Sequence, residues 1–165
     1  MRYVVGDLTQ APESIIAHGC NAQGVMGSGV AKAIRERFPF AYEEYRRAYE
    51  GKSTQVVVPL QVGMVIWAMG HKNCLIANCI TQEFYGSDGT QYCSYEGIRS
   101  CFKNIHAQLY YSKRKSLAIP KIGAGLGGGD WAIIENIINT ELKSLPDVDV
   151  VCYVLNENEI PSTRN

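Results

Sequence analysis

The sequence has no excess charge of either sign: 16 Lys and Arg stand against 16 Asp and Glu. Nonspecific binding to nucleic acid runs on surplus cations, so that class is disfavoured except where a nucleic acid carries a modification that is itself the substrate. A small anion held by backbone amides is not disfavoured. Long apolar runs are also missing, and none nears the ~20 residues needed to span a bilayer. Met1-Arg2-Tyr3-Val4-Val5 passes straight into strand-like sequence, with no basic segment ahead of an apolar one. No secretion signal is read there, and a cytoplasmic location is expected. The cysteines Cys20, Cys74, Cys79, Cys93, Cys101 and Cys152 form no C-x-x-C pair, and His18, His71 and His106 add no zinc-ligand spacing;. No metal and no cofactor is expected. In a reducing compartment these cysteines are free thiols, most of them core residues. Repeats, linkers and low-complexity stretches are absent.

What is present reads as one globular domain. The chain has 165 residues, 46% hydrophobic and 19% charged, and can bury about two-thirds of its unfolded surface. A single domain is expected over residues 1–160, with a frayed tail at 161–165 and a monomeric state. Strand-like runs fall at 3–5, 14–17, 55–58, 64–69, 75–81, 116–120 and 149–155. Helical spacing falls at 30–38, 40–49, 94–111 and 131–142. Strands alternating with helices predict a mostly parallel sheet covered on both faces.

Two glycine-rich segments stand out. Gln23-Gly24-Val25-Met26-Gly27-Ser28-Gly29 and Ile122-Gly123-Ala124-Gly125-Leu126-Gly127-Gly128-Gly129-Asp130 each follow a strand and precede a helix. At such a junction free helix-start amides and the helix dipole favour an anion, and glycine permits close backbone approach. Two of them can grip a diphosphate from both sides. Neither is followed by Gly-Lys-Ser/Thr, so neither is a Walker loop. Neither has the spacing and acidic ribose partner of a dinucleotide fingerprint.

Val5-Gly6-Asp7-Leu8, then His18-Gly19-Cys20-Asn21 running into Gly24–Ala31, then Ile119-Pro120-Lys121-Ile122-Gly123-Ala124-Gly125-Leu126 resemble, in order and separation, the macrodomain family. The His-Gly-Cys-Asn form is most similar to the branch holding ADP-ribose-1″-phosphate phosphatases and the terminal ADP-ribose glycohydrolase. The resemblance implies a three-layer α/β/α sandwich with a mixed, mostly parallel sheet of about six strands, and ADP-ribose or ADP-ribose 1″-phosphate as ligand. It places Asp7 and the amide of Leu8 at the adenine and Asn21 at the distal ribose. Gly27, Ser28, Gly29 and Val30 would hold one side of the diphosphate, and Gly123, Ala124, Gly125 and Leu126 the other. Leu155, with Tyr153, would flank the adenine, although core packing explains both equally.

The glycohydrolase branch uses a lysine and an aspartate. Gln82 and Gly127 align with those positions, and neither residue can attack carbon or supply a proton. Lys72 precedes its strand and does not replace the lysine. His18 falls where the phosphatase branch carries a histidine, and imidazole exchanges protons near neutral pH; a structural histidine is the other reading. Asp130 is a second catalytic candidate and equally an N-cap. Residues 82–85 are expected to line the distal end. The leading expectation is metal-independent hydrolysis of ADP-ribose 1″-phosphate to ADP-ribose and phosphate, with His18, Asn21 and Asp130 as catalytic residues. Removal of ADP-ribose from protein or nucleic acid, and a non-catalytic reader of ADP-ribose, are the alternatives.

Overall fold

A computed structural model describes residues 1–162. Along the chain run β1 (Arg2–Val5), β2 (Ile15–Asn21), α1 (Gly29–Arg37), α2 (Pro39–Tyr49), β3 (Val65–Met69), β4 (Leu75–Gln82), α3 (Tyr95–Ser112), β5 (Ser116–Ile119), α4 (Trp131–Leu142) and β6 (Asp149–Val154). The strands form one sheet in the order β1-β6-β5-β2-β4-β3. Every pairing is parallel except β3 with β4, which is antiparallel. This is the expected α/β sandwich with a mixed, mostly parallel sheet.

Side-chain alternation along each strand builds the layers. Ile15, Ala17, Ala77 and Cys79 face α3 and α4, where Ile98, Phe102, Ile105, Ile134 and Ile138 close the larger core. Ile16, Ile76, Cys20 and Ile80 face α1 and α2 and meet Ile34, Phe38, Ala41 and Tyr45. Because both faces are covered, the central strands read as apolar runs without alternation. All five parallel-paired strands direct their C-terminal ends to one rim, which carries both glycine loops. No helix among the described residues is long and apolar enough to cross a membrane.

Two elements differ from the sequence reading. β2 does not stop at Ala17: it continues through His18-Gly19-Cys20 to Asn21, paired with β4, with a register shift between Cys20 and Asn21. The expected strand at 55–58 does not form. Val57 is 98% exposed, so β-branched propensity there has no partner to pack on. Instead, the Gln55 side chain accepts from Trp67 N at 2.9 Å and donates to Trp67 O at 2.7 Å. One side-chain amide thus takes the place of a neighbouring strand on the open edge of β3. The tail expected at 161–165 lies, from residue 163 on, outside the described residues.

Candidate functional site

A cleft of about 740 Å³ opens at the C-terminal ends of β2, β4 and β5, a size typical of small-molecule sites. Open α/β sheets bind ligands at this rim. One wall is the first glycine loop leading into α1, and the other is the loop after β5. Tyr85, Gly86 and Ser87, from the β4–α3 connection, complete the mouth.

The first wall is braced from below. Asn21 donates through Nδ2 to Val25 O at 2.8 Å and accepts at Oδ1 from Gln23 N at 2.9 Å. The buried Tyr45 hydroxyl, carried by α2, donates to Asn21 O and Oδ1 at 2.7 and 2.9 Å. Arg46 fixes the Gly24 carbonyl at 2.9 Å. Gly24 has φ +78°, and a Cβ there would come within 2.6 Å of the Tyr49 ring, so only glycine fits. The loop so held delivers Gly27, Ser28 and the first turn of α1 to the cleft. Ser28 occupies the N-cap position without a side-chain cap bond. The helix-start amides and the Ser28 hydroxyl therefore stay available to an anion.

The second wall divides into two functions. Gly123, Gly125 and Leu126 line the cleft, and a Cβ on Gly125 would meet no atom within 4 Å. The run Gly127-Gly128-Gly129 packs inward, and of the three only Gly127 also reaches the cleft. Gly127 O accepts from Tyr92 N and Cys93 N at 2.8 and 3.0 Å, and Gly129 N donates to Gly123 O at 2.8 Å. A Cβ on Gly127 would sit 2.7 Å from Gly123 O, and one on Gly129 2.5 Å from Cys93 Sγ. The position aligned with the glycohydrolase aspartate is therefore closed to any side chain in this loop shape.

Of the residues expected to touch ligand, Asn21, Gly27, Ser28, Gly29, Val30, Gly123, Gly125 and Leu126 share the cleft. Ala124 does not line it and packs against the larger core. Asp7 and Leu8 lie at the end of β1 and Leu155 just past β6, on the same rim but outside the cleft lining. Asp7 accepts from Thr9 N at 2.9 Å and caps a short 3-10 turn. Leu8 is buried in the α1-side core. Leu155 is 80% exposed, while the Tyr153 hydroxyl is tied to Glu13 at 2.9 Å.

Two catalytic candidates, His18 and Asp130, lie outside the cleft lining. His18 is wholly buried within β2. Its Nε2 meets Asn78 Oδ1 at 2.6 Å, and Asn78 Nδ2 donates to Ala41 O at 3.0 Å. Asn78 therefore presents an acceptor, and His18 Nε2 carries the donated proton. Burial drives its pKa down to about 4 despite the Asn78 bond. Alternation sends it under α2, not into the cleft. Asp130 caps α4, accepting from Ala132 N at 2.9 Å, and is likewise outside the lining. Cys20 lines the cleft, but burial pushes its thiol well above the ordinary range, which leaves it a weak nucleophile. All six cysteines are free.

Lys121 and Thr81 line the cleft, and the sequence reading gave neither a role. Lys121 is the single charged side chain among the lining residues, and its place inside the Ile119–Leu126 motif was the available signal. Gln82 and Tyr85, from the stretch expected at the distal end, line it too. Gln82 donates through Nε2 to Phe84 O at 2.7 Å. Its Oε1 has no hydrogen-bond partner among the described residues.

A three-layer sandwich with facing glycine loops on its C-terminal rim defines the class. Residues 17–138 match the Macro domain family, and the chain belongs to it. It is 29% identical over 161 residues to a DNA ADP-ribosyl glycohydrolase of Thermus aquaticus, covering 96% of this chain and 42% of that protein. The chain thus spans about two-fifths of the length of that relative. It is 26% identical to an ADP-ribose 1″-phosphate phosphatase of Scheffersomyces stipitis, covering 94% of this chain and 99% of that one. The solved macrodomain of Thermus aquaticus DarG superposes with a TM-score of 0.77 at 29% identity, covering 93% of this chain and 97% of that one.

Proposed function

We propose that the cleft holds an ADP-ribose derivative by its diphosphate, between the start of α1 and the Gly123–Leu126 loop, and that the chain releases phosphate from ADP-ribose 1″-phosphate. The observation that carries this reading is the pair of strand–glycine loop–helix units facing each other across one cleft. Relatives named as ADP-ribose 1″-phosphate phosphatases support the substrate. So do Gln82 and the closed position at Gly127, which leave no lysine–aspartate pair for glycosidic cleavage. Amides of Gly29, Val30 and the second loop offset the diphosphate charge, and Lys121 adds a mobile cation. Asn21 acts through the loop it braces and is a positioning residue. The free Oε1 of Gln82 accepts a hydrogen bond from the attacking water. Water oxygen bonds to phosphorus and the bond from phosphorus to O1″ breaks. One water proton passes to O1″, and the other leaves with phosphate. Fixed amides stabilise the charge that develops. His18 has no part in this step, and Asp130 acts only as a helix cap.

The second reading is cleavage of ADP-ribose from a nucleobase. It is favoured by the DNA-directed relatives and by Phe84 and Tyr85, exposed by 62% and 55% near the mouth. One experiment separates the two: phosphate release from ADP-ribose 1″-phosphate, run beside release of ADP-ribose from an ADP-ribosylated oligonucleotide. Phosphate release that Gln82→Ala lowers at least tenfold, with ADP-ribose affinity retained, supports the phosphatase. Tight ADP-ribose binding without phosphate release rejects it.

A further inference from the structure

At the opposite end of the sheet, a second cavity of about 500 Å³ lies between the segment entering β2, the end of α1, the β3–β4 turn and the α3–β5 connection. It shares no lining residue with the glycine-loop cleft. Arg37, Lys72 and Arg114 line it, and none has an ion-pair partner among the described residues. Arg114 is held in place by Ser14 O and Asn73 O at 3.1 and 2.9 Å, so its charge is fixed at the wall. The one carboxylate in the lining is Glu13, only 7% exposed. It receives the Tyr153 hydroxyl at 2.9 Å, which leaves most of its acceptor sites open. Phe38 and His71, ring centroids 5.0 Å apart, add an aromatic wall.

The turn supplies an independent sign. Lys72 and Asn73 both have positive φ, 51° and 66°, and Cys74 N bonds His71 O at 3.0 Å. Two-residue hairpin turns with two left-handed positions favour Asn-Gly, and lysine seldom takes such a conformation. The fold accepts an unfavourable residue whose ammonium lines the cavity.

We propose that this cavity binds a phosphorylated sugar. The exposed cations Arg37 and Lys72 take the phosphate at the rim, Arg114 adds fixed positive charge, and the buried Glu13 accepts from sugar hydroxyls at the floor. The order follows from burial: the carboxylate lies deep and the freest cations lie outside.

The test is an NMR titration of the whole chain with ribose 5-phosphate, inorganic phosphate and ribose, followed through backbone amides. Ribose 5-phosphate moves the amides of residues 9–11, 13–14 and 71–74, and binds at least tenfold tighter than either fragment. Lys72→Asn weakens that binding about tenfold and raises the melting temperature, since asparagine suits the turn. A lysine serving the turn alone would change neither affinity nor the response at 9–14. Shifts confined to residues 24–30 and 123–127, equal affinity for inorganic phosphate, or unchanged affinity in Lys72→Asn would each overturn the proposal.

Discussion

Imidazole buried without a charged partner titrates against the fold. His18 is neutral in the folded chain with a pKa of about 4, against about 6.5 when unfolded. Between those values the unfolded state binds a proton that the folded state refuses, so stability falls as pH drops through 6.5 and the loss levels off near 4. The full loss is about 3 kcal/mol. Urea titrations from pH 7 to 4.5 are expected to show this slope in the natural chain and a flatter one in His18→Gln. The same variant is expected to keep its rate of phosphate release, which a catalytic histidine would not allow. At Gly125 the situation is reversed. Open space around its Cβ lets Gly125→Val fold with near-natural stability while filling the cleft, and ADP-ribose affinity should fall at least tenfold, about 1.4 kcal/mol, by calorimetry.

At the scale of elements, the two glycine loops show what a sequence discloses and what it withholds. Their strand-to-helix placement is local, so the loops, α1 and α4 were legible from spacing alone. Eight of the residues assigned to ligand do share one cleft. Side-chain direction was not legible, because it depends on how far β2 runs. With the strand ending at Ala17, His18 heads a loop; with the strand carried to Asn21 by its pairing with β4, His18 turns under α2. The strand expected at 55–58 failed for a related reason: three valines have high strand propensity, but a strand forms only where a neighbour and a core receive it, and Val57 is left exposed;. Of the triple glycine after Leu126 only Gly127 reaches the cleft, and the run packs against Tyr92 and Cys93. Restoring the glycohydrolase pair tests this. Gly127→Asp combined with Gln82→Lys should cost about 2–3 kcal/mol in chemical denaturation and yield no glycosidic cleavage, since the loop must open to seat a side chain.

For the whole molecule, the parallel sheet separates two ends that share a core and no lining residues. A ligand that binds only the folded chain stabilises it by about 2.7 kcal/mol at 100 times its Kd, or about 5–10 °C in melting temperature for a domain of this length. ADP-ribose should give this shift in the natural chain and about half of it or less in Gly125→Val at the same concentration, as read by differential scanning fluorimetry. The sheet also has to end somewhere, and at β3 it ends on Gln55. Its side-chain amide occupies the Trp67 N–H and C=O, the groups that an approaching strand from another molecule would use first. An unguarded edge recruits such strands. Gln55 thus blunts the open edge of β3 at Trp67, leaving another molecule fewer free backbone groups there to pair with;.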